Sequence, residues 1–284
     1  MRVLETNDKN FPENLKKITP KVKKLYYKGN YNQKFFGKSI AVVGSRKMTS
    51  YGQRIIEQLI PPLVDAGITV ISGFMYGVDQ AAHKTALEYE GKTIAVLGWG
   101  IDWPVESADK KLYREIEEKG LFMSEYENDR KPQLWMFPRR NRIMAGLARA
   151  VLVIEAAENS GSLITAAYAK QYKKILLAVP GPVTSYLSTG TNNLIKNGLA
   201  KMILSAGDIL AAMGWHENPP RQKNEKEDTG RDLIIQLLKN ESLTVDQIAI
   251  SLQKPVEKIS VKLSLLQLKG QIEEKDGKYY SKIK

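Results

Sequence analysis

Cysteine is absent from the 284 residues, so the chain holds neither a disulfide framework nor a thiolate that could act as nucleophile or metal ligand. Histidine occurs twice, as His83 and His216, and neither belongs to a His/carboxylate cluster. A transition-metal centre therefore has little to be built from, and no metal site is expected. No apolar run approaches the ~20 residues that span a bilayer. The opening stretch, MRVLETNDKNFPENLKK, has no signal-peptide core, so the expected location is the cytoplasm. Two phosphate motifs are also missing. The first strand-like run is followed by GSRKM, not G-x-G-x-x-G, and G-x-x-x-x-G-K-[ST] occurs nowhere. Bound NAD and P-loop ATP chemistry are not expected, nor is any other cofactor.

Acidic residues are the minority charge, and the formal net charge is +12. The excess is uneven: residues 1–38 hold ten basic and three acidic groups, residues 39–215 hold twenty and seventeen, and the rest thirteen and eleven. Such a balance fits a polyanionic partner or a general bias towards lysine, and alone it does not separate the two. One stretch is more pointed. From Pro132 to Ile154 there are four arginines and no acid.

What is present is a rhythm of short apolar runs: SIAVVG, GITVISG, KTIAVLG, GLFMSE, AVLVIEA and KILLAV. They are rich in Val, Ile and Leu and alternate with amphipathic segments. That alternation predicts an α/β domain over residues 39–215, a Rossmann-like, doubly wound, mostly parallel sheet. Pro61 and Pro62 are expected to kink or shorten its first long helix. Residues 1–38 read as a basic N-terminal extension with solvated lysines. Residues 216–229 read as a polar linker. Residues 230–284 predict three helices, with Thr244 capping the second and Pro255 opening the third, then two strands about Asp276–Gly277. This is the layout of a small winged-helix domain.

Ligands of open α/β sheets sit beyond the carboxyl ends of the strands, so those turns hold the candidate residues. After the first run, Gly44 allows a sharp exit and projects Ser45 and Arg46 over the sheet edge. In ISGFMYGVDQAAH, Asp79 and His83 are either an acid–base pair or, more commonly, a helix-start carboxylate with a packed imidazole behind it. In FPRRNR, Arg139, Arg140 and Arg142 crowd the first turns of a helix, where the positive helix end makes cations locally unfavourable. An arriving anion would complement both the arginines and the free N–H groups; alternatively, Arg142 and Arg149 pair with distant acids such as Glu155 or Asp79. In ENSGSLITA, Gly161 and Ser162 open a helix as a generic phosphate cradle. Guanidinium groups spread along a groove beside the Phe137 ring suit several phosphates and an unstacked base. No nucleophile–base pair with an orienting third group is apparent, so no catalytic residue and no enzyme activity are expected.

These residues carry a resemblance. VVGSR with YG (Val42–Gly52), SGFMYGVDQAAH, FPRRNRIMAGL, SGSLITA, VPGPV and GTNNLIKNGLA follow one another as in the DNA-processing protein A family (DprA/Smf). The resemblance covers the whole α/β domain and extends to the winged helix. It implies a homodimer that binds single-stranded DNA in a positive pocket and helps load the recombinase RecA during natural transformation. By matched position it implies that Arg46 contacts DNA and Phe137 stacks near a base. Arg140, Asn141 and Arg142 would line the pocket, Gly161 and Ser162 would present backbone to a phosphate, and Lys173 would be a further contact. Where many members carry a cation three residues before the phenylalanine, this chain has Leu134. Residues 1–38 look like the remnant of the helical region that begins many members. Two other readings remain: a phosphoribohydrolase-type nucleotide enzyme, whose glutamate-bearing PGGxGTxxE turn is not matched here, and a winged-helix transcription regulator.

Overall fold

The structure, a computed structural model, describes residues 2–215, 233–252 and 254–282. The chain divides into two units, Met1–Arg221 and Gln222–Lys284. The linker expected over residues 216–229 lies outside the described residues, as does His216.

In the first unit the strands are β1 (Arg2–Glu5), β2 (Lys24–Gly29), β3 (Ser39–Val43), β4 (Thr69–Ser72), β5 (Thr93–Leu97), β6 (Leu121–Ser124), β7 (Ala150–Val153), β8 (Ile175–Ala178) and β9 (Lys201–Met202). The helices are α1 (Glu13–Lys16), α2 (Ser50–Asp65), α3 (Val78–Glu88), α4 (Lys110–Lys119), α5 (Met136–Leu147), α6 (Ser162–Gln171), α7 (Thr189–Lys196) and α8 (Ala206–Met213). The strands form one sheet in the order β1-β2-β6-β5-β4-β3-β7-β8-β9. From β6 to β9 every pairing is parallel.

Every residue of β3 to β7 is buried, as strands covered on both faces require. Alternation divides them between two layers. Ile40 and Val42 pack with α2, α3 and α8, while Ala41 and Val43 pack with α1, α5 and α6. The chain runs outward from β3 to β6, then returns to place β7 on the other side of β3. The fold is therefore Rossmann-like and doubly wound, with its switch point between β3 and β7, where a crevice opens beyond the strand ends.

Two sequence expectations are corrected. Residues 1–38 are not an extension: β2 pairs antiparallel with β6, Tyr27 opposite Met123, and β1 pairs with β2. Leu4, Phe11, Leu15, Ile18, Val22 and Leu25 are buried in the same cluster as Val43 and Ile143. Lys21, Lys23 and Lys24 stay exposed, so the charge that dominates the sequence there sits on the outside of a core element. Nor do Pro61 and Pro62 end α2, which runs on to Asp65. Each interior proline costs about 3 kcal/mol, and burial of Leu59, Ile60, Pro61 and Leu63 against the sheet offsets it.

The second unit holds α9 (Leu233–Asn240), α10 (Val245–Leu252), α11 (Val256–Leu268), β10 (Ile272–Lys275) and β11 (Lys278–Ser281) around one apolar cluster. Thr244 and Gln247 exchange side-chain and backbone bonds in a capping box. Asp276 and Gly277 take left-handed conformations, φ 54° and 74°, which closes a two-residue hairpin. This is a winged helix.

Because residues 1–38 belong to the core, Phe11→Ala should lower unfolding stability by about 3–5 kcal/mol. Lys21→Ala should change it by less than about 0.5 kcal/mol. Urea denaturation of the two variants checks this; an unchanged midpoint for Phe11→Ala would contradict the integration of this segment.

Candidate nucleic-acid interface

At the switch point lies a groove of about 500 Å³, lined by the turns after β3, β4 and β7 and by α5. Each turn is held by a specific contact. Glu155, at the exit of β7, is buried and accepts from Thr49 N at 2.9 Å and Thr49 Oγ1 at 2.5 Å. A Cβ at Gly52 would strike the same carboxylate, which accounts for the glycine of the YG pair. Tyr51 OH donates to Pro180 O at 2.5 Å and so ties the first turn to the segment after β8. Within the turn, Ser45 is buried and its hydroxyl accepts from Lys47 N. Arg46 and Lys47 are exposed.

The second turn packs on the first through Gly77, whose φ is 76° and whose Cβ would meet the carbonyls of Ser45 and Arg46. Asp79 follows in the first turn of α3 and accepts from Met75 N at 3.4 Å. His83 is fully buried, with ring nitrogens 2.6 Å from Thr93 Oγ1 and 3.4 Å from Gly73 O. Burial lowers its pKa to about 4. This imidazole is a neutral core group, not an acid–base partner for a ligand.

The arginines of α5 differ most from expectation, since Arg140 and Arg142 are buried and Arg139 alone stays half exposed. Arg142 is fully buried and its Nη2 lies 2.5 Å from Glu125 Oε1, just beyond β6. Arg139 meets the same carboxylate at 3.2 Å. The alternative that Arg142 pairs with a distant acid holds, with Glu125 in place of Glu155 or Asp79. Arg140, also buried, donates to Val96 O on β5. A Cβ on Gly73 would fall 2.7 Å from both terminal nitrogens of Arg140 and onto Asp79 Oδ2, so this glycine makes room for that pair. Burial lowers the Arg140 pKa to about 10, opposed by Asp79, and it raises that of Asp79, opposed by Arg140. Asn141 Nδ2 donates to Gly161 O at 3.1 Å and fixes the start of α6.

Over this floor stand other groups that line the groove. Phe137 is half-buried against Gly98, where a Cβ would fall 2.9 Å from its ring. The guanidinium carbon of Arg46 lies 5.2 Å from the Phe137 ring centroid, a cation–π contact. Gly161 precedes α6 with an ordinary φ of −59°, and a Cβ there would meet nothing within 4 Å. The fold alone does not ask for glycine at that position. A backbone left bare at a helix start suits close approach by an anion.

The family model described as DNA recombination-mediator protein A matches residues 2–214. The chain belongs to this family. A second model, the DprA winged helix domain, matches residues 218–278. The family is one of recombination mediators, not of enzymes. The DNA processing protein DprA of Streptococcus pneumoniae is 41% identical over 201 residues, covering 71% of this chain and 70% of that protein. Protein Smf of Synechocystis is 39% identical, covering 74% of this chain but 54% of its own length. The chain therefore spans about half of that relative. A solved structure of DNA processing protein A from S. pneumoniae superposes with a TM-score of 0.71 at 38% identity, covering 76% of this chain and 75% of that one. One from Helicobacter pylori, reported for its single-stranded DNA binding mode, superposes at 0.67 with 30% identity, covering 76% and 97%.

Within this family member, the groove gathers Ser45, Arg46, Phe137, Arg140, Asn141, Gly161 and Ser162. Arg139 and Arg142 do not line it; both meet Glu125 instead. Lys173 does not either: it follows the far end of α6, about 15 Å along the helix from Gly161. Its neighbour Lys174 donates to Gly146 O and Ala148 O, at the opposite edge of the sheet. Sequence reasoning passed over Lys47, Asn159 and Tyr186, which also line the groove. Lys47 was visible as a second cation in the same exposed turn. Tyr186 had no local signal, since its turn reaches the site through Asn192, which bonds both ways with the Gly181 backbone.

Two measurements check this wiring. Glu125→Ala strands the buried Arg142 charge and should cost about 3–5 kcal/mol, with part regained in the double variant that adds Arg142→Met. His83 has its pKa lowered from 6.5 to about 4. The neutral ring's contribution is present above pH ~6.5 and is lost as pH falls towards 4, up to about 3 kcal/mol. Asp79, with its pKa raised, acts in the opposite sense, so the comparison is between wild type and His83→Gln, whose stability should fall less steeply over this range.

Proposed function

We propose that the groove binds single-stranded DNA and that the protein helps load RecA onto the bound strand during DNA uptake and recombination. In this reading it acts as a homodimer in the cytoplasm. The observation that carries it is the pairing of exposed Arg46 and Lys47 with the Phe137 ring and the bare backbone of Gly161 around one groove. The cations meet phosphates, the ring offers a stacking face, and the start of α6 offers N–H groups. A base reaches that ring only when it is free of a partner strand, which favours single strands over duplex. Arg140 adds little free charge, because Asp79 offsets it beneath the surface. Membership of a recombination-mediator family and the binding mode reported for the H. pylori relative support the same reading. The match to a mediator family also favours handing the strand to a recombinase over chemistry on it.

Arg46→Ala should weaken oligonucleotide binding and lower the slope of log K against log salt by about one. Phe137→Ala should cost about 1–3 kcal/mol of affinity and leave that slope unchanged. Mobility-shift titrations across salt, on single and double strands, make the test. Undiminished binding by Arg46→Ala at low salt would remove the groove from consideration.

A further inference from the structure

Beside the groove is a second hollow of about 180 Å³ that shares Met75, Tyr76 and Phe137 with it. Its other walls include Phe74, Trp99 and Trp103, and its lining contains Glu106 and Asp109 but no lysine or arginine. We propose that this hollow takes one unpaired nucleobase of the strand held in the groove, and that Glu106 favours a base with an exocyclic amine. The inference rests on the groove being the single-strand site.

Three features support this assignment. The size is below the roughly 300–1,000 Å³ of pockets that enclose drug-sized ligands, so the hollow fits a single heterocycle and not a whole nucleotide. Its walls are aromatic: Phe137 meets Trp99 edge-on at 6.1 Å between centroids, and a flat ring gains by stacking among such faces. Charge then sorts the two halves of a nucleotide. The groove carries exposed Arg46 and Lys47, with buried Arg140 offset by Asp79, whereas the hollow carries two carboxylates, so phosphate belongs in the first and the base in the second.

The carboxylates also set a preference. Asp109 Oδ1 already accepts from Gln80 at 2.9 Å. Glu106 is exposed, and its Oε2 accepts from Tyr76 OH at 2.8 Å, which orients the group and leaves Oε1 to accept from a ligand. Cytosine, adenine and guanine present an exocyclic N–H₂ donor, while thymine presents a carbonyl oxygen at the place where cytosine has its amine. The two pyrimidines are matched in size, so they isolate this difference.

The test uses the full chain and labelled hexanucleotides of cytosine or thymine, with fluorescence anisotropy at fixed salt. Wild type should bind the cytosine hexamer about fivefold more tightly. Glu106→Gln, an exposed change that leaves the core intact, should bring the ratio close to one while raising both affinities through the lost negative charge. Trp103→Ala should weaken both hexamers without lowering the salt slope. Arg46→Ala should weaken both and lower the slope, keeping the ratio. Equal affinities in wild type, or a preference that survives Glu106→Gln, would overturn the base site while leaving the groove in place. Loss of the groove itself would show separately, as an Arg46→Ala protein with undiminished affinity.

Discussion

A guanidinium group with no access to water must find a carboxylate, and Arg142 finds Glu125. Taking either charge alone into this interior would cost several kcal/mol, so the pair is an obligation of the fold more than a gain in stability. It also sets geometry. Glu125 directly follows β6 and Arg142 sits midway along α5, so the contact fixes how the helix lies across the strand ends. Phe137 and Arg140, on the same helix, inherit their positions from it. The ring reaches the groove and Arg140 reaches the β5 carbonyl because α5 has one place to lie.

This divides the basic residues into two kinds. On α5, Arg140 and Arg142 are buried and Arg139 is half exposed, each turned to a carboxylate or carbonyl, which offsets the few tenths of a kcal/mol that cations cost near a positive helix end. The cations that face solvent above the groove come from another turn, where Arg46 and Lys47 follow β3. In the proposed reading, ligand charge is met by these exposed side chains, while the buried arginines hold the floor.

Much of this was legible in the sequence. Six apolar runs became β3 to β8, the winged helix took the three helices and hairpin read for it, and the turns after β3 and β7 meet at the switch point. The failures have physical causes. β1 and β2 are short and bounded by charged residues, so their apolar positions are hidden by charge that stays outside. β9 has two residues, too few for any period to register. The partner of Arg142 lies seventeen residues back, across a strand–helix connection, and proximity of that kind exists only after α5 has packed. Lys173 stands close in sequence to the glycine turn, yet an intervening helix carries it to the opposite edge of the sheet.

Gly161 is the position where these demands separate. Its backbone is helical, no neighbour crowds it, and the space before it is empty. Folding would accept a larger residue there, and only an incoming molecule would notice the obstruction. In the proposed reading, the chain would lose its grip on a partner there while keeping its architecture whole, which makes this one spot a place where natural variation would silence the protein without unfolding it.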